Sequence, residues 1–427
     1  MFFFERIVNR ENGLLRSLGS DFIAQNMEDK TTAPYRVAEL QGLFGAVSIP
    51  EKLIQRIWAR GDFRRDGMRT VSRRSLEILS AGTWNRLEGP DFIGSEILLD
   101  GKRVRGDVEI HFYAEDWQAH AHAENPLYKN VVLHVVVFPS RAENYPQSNA
   151  AGTPMETLLL LPHLKSDIED YATEYALAAV EGRDGKSEIL EKIAEIAPDE
   201  RQRRLRELAF LRWEQKRNFM RRRLEKSADW SALVHALTLE TLGLRRNREA
   251  MARIALRFSP SSMLLLSPEK LYESEAGMWR LAGTRPANLP LTRLRQYCGL
   301  LMKNPSWMRH MKEWILSLPE PDVFPAGFGT NRFRRETAMA DLRKFVAGDI
   351  FAGTIGGTRL DTLLVDAFFP LVSAETGKDL SAWWFHWFLG DAPGNFPKIL
   401  RETQIATREQ PYCNGLFQGL IQISLQN

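Results

Sequence analysis

Apolar positions change their spacing along this chain, and the changes divide it. Near residue 50 they recur at helical spacing, so that Leu53, Ile54, Ile57 and Trp58 share one face. Ile49-Pro50-Glu51 supplies a start, with proline near the first turn and an acid behind it, and Gly61 supplies a stop. From Thr70 to Phe138 the pattern is that of strands. The segment ILLDGKRVRGDVEIHFY is two short runs about Asp100-Gly101, a dipeptide that specifies a hairpin between such runs. A polar stretch, EDWQAHAHAENPLYKN, leads to VVLHVVVF at 131–138, a run so apolar that it predicts a strand buried on both faces.

Residues 139–156 read as loop by composition, and Leu158 to Leu161 as one more strand. Beyond Ser166 the spacing is helical for most of the length. It is broken at Pro198, Asp229, Ser259-Pro260, Pro286 to Pro290, Pro305, Pro319 to Pro325, Gly353 to Gly357 and Pro393. The expected organisation is an N-terminal extension over 1–48, an α/β domain over 49–162, and an α-helical region of one or two subdomains over 163–427. A chain of 427 residues exceeds what one compact core usually holds, which agrees with more than one domain.

Composition narrows the classes. Two cysteines, Cys298 and Cys413, support neither a disulfide framework nor a four-cysteine zinc site. MFFFERIVNR meets charge too soon for a signal peptide, and no apolar run approaches the length of about 18 residues that a span requires. A cytoplasmic protein with no membrane partner is expected. The net charge of +3 does not by itself announce a polyanion.

The chemistry concentrates between Asn85 and His134. Alternate residues of a strand share a face, so Asp107, Glu109 and His111 project together while Val108 and Ile110 face the core. Asp91 falls where the first hairpin strand begins and can reach that polar face, because paired strands stand about 5 Å apart. Gathered carboxylates of this kind bind a hard divalent cation, magnesium or manganese. Four of the eight histidines, His111, His120, His122 and His134, lie in the same stretch. His120 and His122 with an acid nearby are candidates for a zinc site or for phosphate contacts. Asn85 and Arg86, just before the Gly-Pro turn, are candidate substrate contacts. His134, inside VVLHVVV, reads as a buried, hydrogen-bonded core residue. Trp117 and Tyr128 read as packing.

A Pro-Asp pair, a hairpin and then an acid-x-base strand resembles the PD-(D/E)XK nuclease superfamily. Pro90-Asp91 matches its first motif, and Glu109-Ile110-His111 matches the acid-x-lysine motif with histidine in the lysine position. The resemblance implies a mixed sheet with flanking helices in the N-terminal part, followed here by a mostly α-helical C-terminal region. It also implies metal held by Asp91, Asp107 and Glu109, and catalysis by Asp91, Glu109 and His111. The strings IPEKLIQRIW, AGTWNRLEGPDF, GDVEIH, DWQAHAHAENPLYKNVVLHVV, RPANLPLTRLRQ and IGGTRLDTLLVDAFFP resemble an uncharacterised bacterial family, domain of unknown function 2851, over about 49–422. That family usually ends in a short cysteine cluster, whereas here only Cys413 stands near the end.

Three functions follow as expectations. The first is a metal-dependent phosphodiesterase acting on nucleic acid, in which His120 and His122 assist. The second is a nuclease-like fold that binds nucleic acid or protein without cleaving. The third is a zinc enzyme on another substrate. Elsewhere, the basic run at 201–226 reads as a solvated face with acids such as Glu207 and Glu214 at helical spacing. Arg285-Pro-Ala-Asn-Leu-Pro-Leu-Thr-Arg293 reads as a fixed turn whose arginines dock it on acids of the first domain.

Overall fold

A computed structural model of the chain describes residues 51–140, 145–165, 168–181, 188–227, 229–282, 284–320, 329–392 and 396–426. The expected N-terminal extension, including Ile49-Pro50, lies outside the described residues.

Helix α1 (Glu51–Arg60) buries the four apolar residues expected of it. It stops at Gly61, whose φ of +61° lets the Gly61 and Asp62 amides turn back onto the carbonyls of Trp58 and Ile57. Burying those side chains stabilises the packing by about 1.5–3 kcal/mol each. The strands follow as β1 (Leu76–Ser80), β2 (Thr83–Trp84), β3 (Phe92–Leu99), β4 (Lys102–His111), β5 (Val131–Val136) and β6 (Glu156–Leu159).

They form one mixed sheet in the order β1-β3-β4-β5-β6, with β2 continuing the β1 edge against β3. β1, β3 and β4 are antiparallel neighbours, while β4, β5 and β6 run parallel. Asp100 (φ 49°) and Gly101 (φ 78°) both take the left-handed conformation that a tight two-residue hairpin demands, which fixes the β3–β4 register. β4 therefore sits centrally, and β5 is almost wholly buried, as its apolar run predicts.

The β4–β5 connection crosses over through a short helix, α2 (Asp116–Ala119), and two single turns at His122–Glu124 and Pro126–Tyr128. α1 packs against β4 and against α3 (Ile168–Glu181). The helical region is built on α4 (Pro198–Lys226), which packs along α5 (Asn414–Gln426). Gly419 makes that approach possible, since a Cβ there would stand 2.2 Å from the Leu205 carbonyl oxygen. One apolar core runs from Ile54 and Phe92 through Val135 to Trp213 and Leu420 without a break.

Two expectations change. Arg203 and Arg217 of α4 do pair with Glu207 and Glu214, but Arg212, Lys216 and Arg223 of the same helix turn inward. Arg293 does not dock on the first domain: its guanidinium holds Asn288 (2.5 Å) and Gln296 (2.9 Å) within its own segment. Asn288 of the turn and Gln296, three residues on along the following helix, meet its donors locally. Among the described residues no helix is long and apolar enough to cross a membrane.

Candidate metal centre

The hairpin register sets Phe92 opposite Val108, and this puts Asp91 beside Glu109. The two are locked reciprocally. The Asp91 amide donates to Glu109 Oε2 (2.9 Å), and the Ile110 amide donates to Asp91 Oδ2 (3.1 Å). Gln55 Nε2 donates to Asp91 Oδ1 at 2.6 Å. Gln55 lies one turn after Glu51 on α1, so both face the cluster. Burial, and next the Asp91 carboxylate, push the Glu51 carboxyl up to about 7. Asp116 and Glu109 push the same way, and His120 opposes them. Burial likewise raises Glu109 and Asp91, the latter further through the Glu109 charge.

The imidazoles converge on Glu109. His111 Nε2 stands 3.4 Å and His122 Nε2 3.3 Å from Glu109 Oε1, and the two nitrogens are 3.2 Å apart. His120 Nδ1 is 3.2 Å from His111 Nε2. His111, His120 and His122 each present one ligand atom, all within 4.8 Å of one another. The crossover makes this possible. Ala121 adopts a left-handed φ of 55°, which turns the chain between His120 and His122 so that both reach His111.

Behind them, His134 of β5 contacts His111 Nδ1 through its Nε2 at 2.9 Å. Burial lowers the proton affinity of His111, His122 and His134, with neighbouring imidazoles adding to the effect at His111 and His134. All three are therefore neutral near pH 7, the form that binds metal. Tyr128 stacks on His122 with ring centroids 3.9 Å apart, and Trp117 meets both His122 and His134, so the expected packing role holds.

A family model described as a protein of unknown function (DUF2851) matches residues 51–269, just over half of the 427 residues. The chain belongs to this family. The match to DUF2851 takes in α1, the whole sheet and every residue of the cluster. No curated protein and no solved structure shows significant similarity to the chain.

Of the residues singled out in this DUF2851 chain, Asp91, Glu109, His111, His120 and His122 come together. The other three are engaged locally. Asp107 Oδ1 accepts from the Gly94 amide at 3.0 Å and so holds a left-handed glycine of β3. Asn85 folds its own turn, donating to the carbonyls of Glu88 and Pro90. Arg86 lies over the Trp84 ring, 5.3 Å from its centroid. Glu51 and Gln55 were missed. Their signal was an i, i+4 polar pair on the face of α1 adjoining its apolar stripe. His134 is buried and hydrogen-bonded as expected, but its partner is a member of the cluster.

Proposed function

We propose that the chain is a divalent-metal-dependent phosphodiester hydrolase on a PD-(D/E)XK-type core, acting on nucleic acid. The observation that carries this reading is the reciprocal bracing of Asp91 and Glu109, with the imidazoles of His111 and His122 gathered on the Glu109 carboxylate and His120 beside His111. The order helix, three antiparallel strand neighbours, crossover, parallel strand supports it, as do Pro90-Asp91 and Glu109-Ile110-His111 at corresponding strand positions.

A divalent ion at Glu109 supplies a bound water of lowered pKa and charge to offset that building on a phosphate. The chain's own groups do the rest. Asp91 and Gln55 fix the orientation of the β3 start, Glu51 is a carboxyl able to exchange a proton near neutrality, and His120 is the one exposed imidazole available to a substrate phosphate.

The test is Glu109→Ala against the wild-type chain on a labelled oligonucleotide, across magnesium, manganese and zinc. Cleavage by the wild type that vanishes in a folded variant supports the reading. Cleavage unchanged in the variant removes it. One feature favours a second reading, a nucleic-acid-binding module that no longer cuts: where the resemblance calls for a charged lysine, burial keeps His111 neutral. Binding that persists in chelator, with no cleavage under any metal, supports that reading over the first.

A further inference from the structure

We infer that the cluster is a zinc-type centre held by Glu109, His111 and His122, with the fourth position open to water or substrate beside His120, and not an all-oxygen magnesium site. The inference rests on reading the cluster as a metal site and goes on to name its ion and donors.

Three separations support it: 3.2, 3.3 and 3.4 Å between the two Nε2 atoms and Glu109 Oε1. Good hydrogen bonds are shorter, with N–H···O commonly near 2.9–3.0 Å. Donors about 2.0–2.1 Å from a tetrahedral ion stand about 3.3–3.4 Å from one another. The triangle therefore has the dimensions of one face of a tetrahedral coordination shell. His120 Nδ1 stands 3.2 Å from His111 Nε2 on the exposed side of this face.

Proton counting agrees. A neutral imidazole carries one N–H. If His111 gives its proton to His134 through the 2.9 Å Nδ1–Nε2 contact, Nε2 is left as a bare lone pair. That lone pair faces the nitrogens of His120 and His122 and an oxygen of Glu109. One lone pair accepts one good hydrogen bond, so it cannot satisfy all three neighbours at once, whereas a cation among them can engage a lone pair from each. His122 Nδ1 and His134 Nδ1 are buried without a hydrogen-bond partner, so the pocket spends its polar contacts on the central nitrogens. Two or three imidazole nitrogens with one carboxylate suit zinc and its first-row neighbours, whereas magnesium takes oxygen donors and keeps much of its water. His134 is a positioning residue: it fixes the His111 tautomer and ring from outside the donor set.

The full chain, stripped by chelator, is titrated calorimetrically with zinc chloride and with magnesium chloride, and cobalt chloride serves as a spectroscopic substitute. One zinc should bind per chain, at least about 100-fold tighter than magnesium, and cobalt should give the strong visible absorption of four-coordination. His111→Ala and His122→Ala should each abolish this signature. His134→Ala should weaken zinc by about 10–100-fold while keeping the cobalt spectrum. Asp107→Asn should change neither.

Magnesium bound in preference to zinc, zinc affinity indifferent to His111→Ala and His122→Ala, or an octahedral cobalt spectrum in the wild-type chain overturns the assignment. The cobalt spectrum needs no variant, so a misfolded substitution does not leave the question open. Magnesium-supported oligonucleotide cleavage with no zinc site would sink this inference and spare the proposed activity. A zinc site with no cleavage under any metal would do the reverse.

Discussion

His235 and His111 are equally buried, each 2% exposed, and the chain uses them in opposite ways. His235 has one partner for each ring nitrogen, the Tyr297 hydroxyl at 2.7 Å and the Phe258 carbonyl at 2.8 Å. Its hydrogen-bonding capacity is met, and it ties two helical segments together. His111 spends Nδ1 on His134 and presents Nε2 to three atoms at 3.2–3.4 Å, more than one proton can satisfy. Burial alone does not separate a core imidazole from a ligand. The number of partners on one nitrogen, and the length of those contacts, does.

The sharpest way to break this comparison is to remove the carboxylate on which the imidazoles converge. Glu109→Ala should lower metal-dependent phosphodiester cleavage by about 1,000-fold or more, measured in single turnover, because it deletes both a donor and the brace on Asp91. A loss under tenfold would detach Glu109 from the chemistry. Next in size is stability. His235→Ala should cost about 3 kcal/mol in urea unfolding, through a cavity and two unpaired buried groups, with zinc affinity unchanged. His122→Ala, measured in chelator, should cost about 1 kcal/mol or less, since it relieves crowding as it removes packing. Equal costs would erase the distinction drawn between the two histidines.

The metal-free protein should also respond to pH in the direction that Glu51, Asp91 and Glu109 share, all three being raised by burial. The folded pKa of Glu51, about 7, lies above the ordinary 4.5, so between those values the folded chain binds more protons than the unfolded one. The stability this group contributes is complete below about 4.5 and is lost as pH rises through about 7. Thermal midpoints in chelator should fall across that window, and Glu51→Gln should flatten part of the fall. A midpoint rising from pH 5 to 7, unaffected by Glu51→Gln, would contradict the burial of this carboxyl. The smallest effect concerns the crossover. Ala121→Gly should raise stability by about 0.5–1 kcal/mol in the same unfolding assay, because glycine takes a φ of 55° without steric cost.

Much of this arrangement was legible in the sequence. The apolar stripe of α1, the Asp100-Gly101 hairpin and the two-residue alternation of β4 follow from spacing alone, and together they bring Asp91 beside Glu109 and His111. What was not legible depends on backbone irregularity or on distant contact. The pairing of β3 with β4 slips between Phe92 and Ser95, and that of β4 with β5 slips between Asp107 and Val108. Strict alternation fails there, and Asp107 serves the Gly94 amide. His120 and His122 would diverge in a helix, and the left-handed Ala121 between the two short helical turns redirects them. Glu51 and Gln55 lie more than 35 residues from Asp91 and Glu109, and helical periodicity says which face they occupy without saying what that face meets.

The parallel crossover has a temporal consequence. Two imidazoles ride on the connection between β4 and β5, and a third group, His134, arrives only with β5 itself. A nascent chain ending before Val131 would own all of the coordinating atoms yet lack the strand that holds them in place. Capture of an ion should therefore mark the moment at which the sheet closes, and its rate would clock that event.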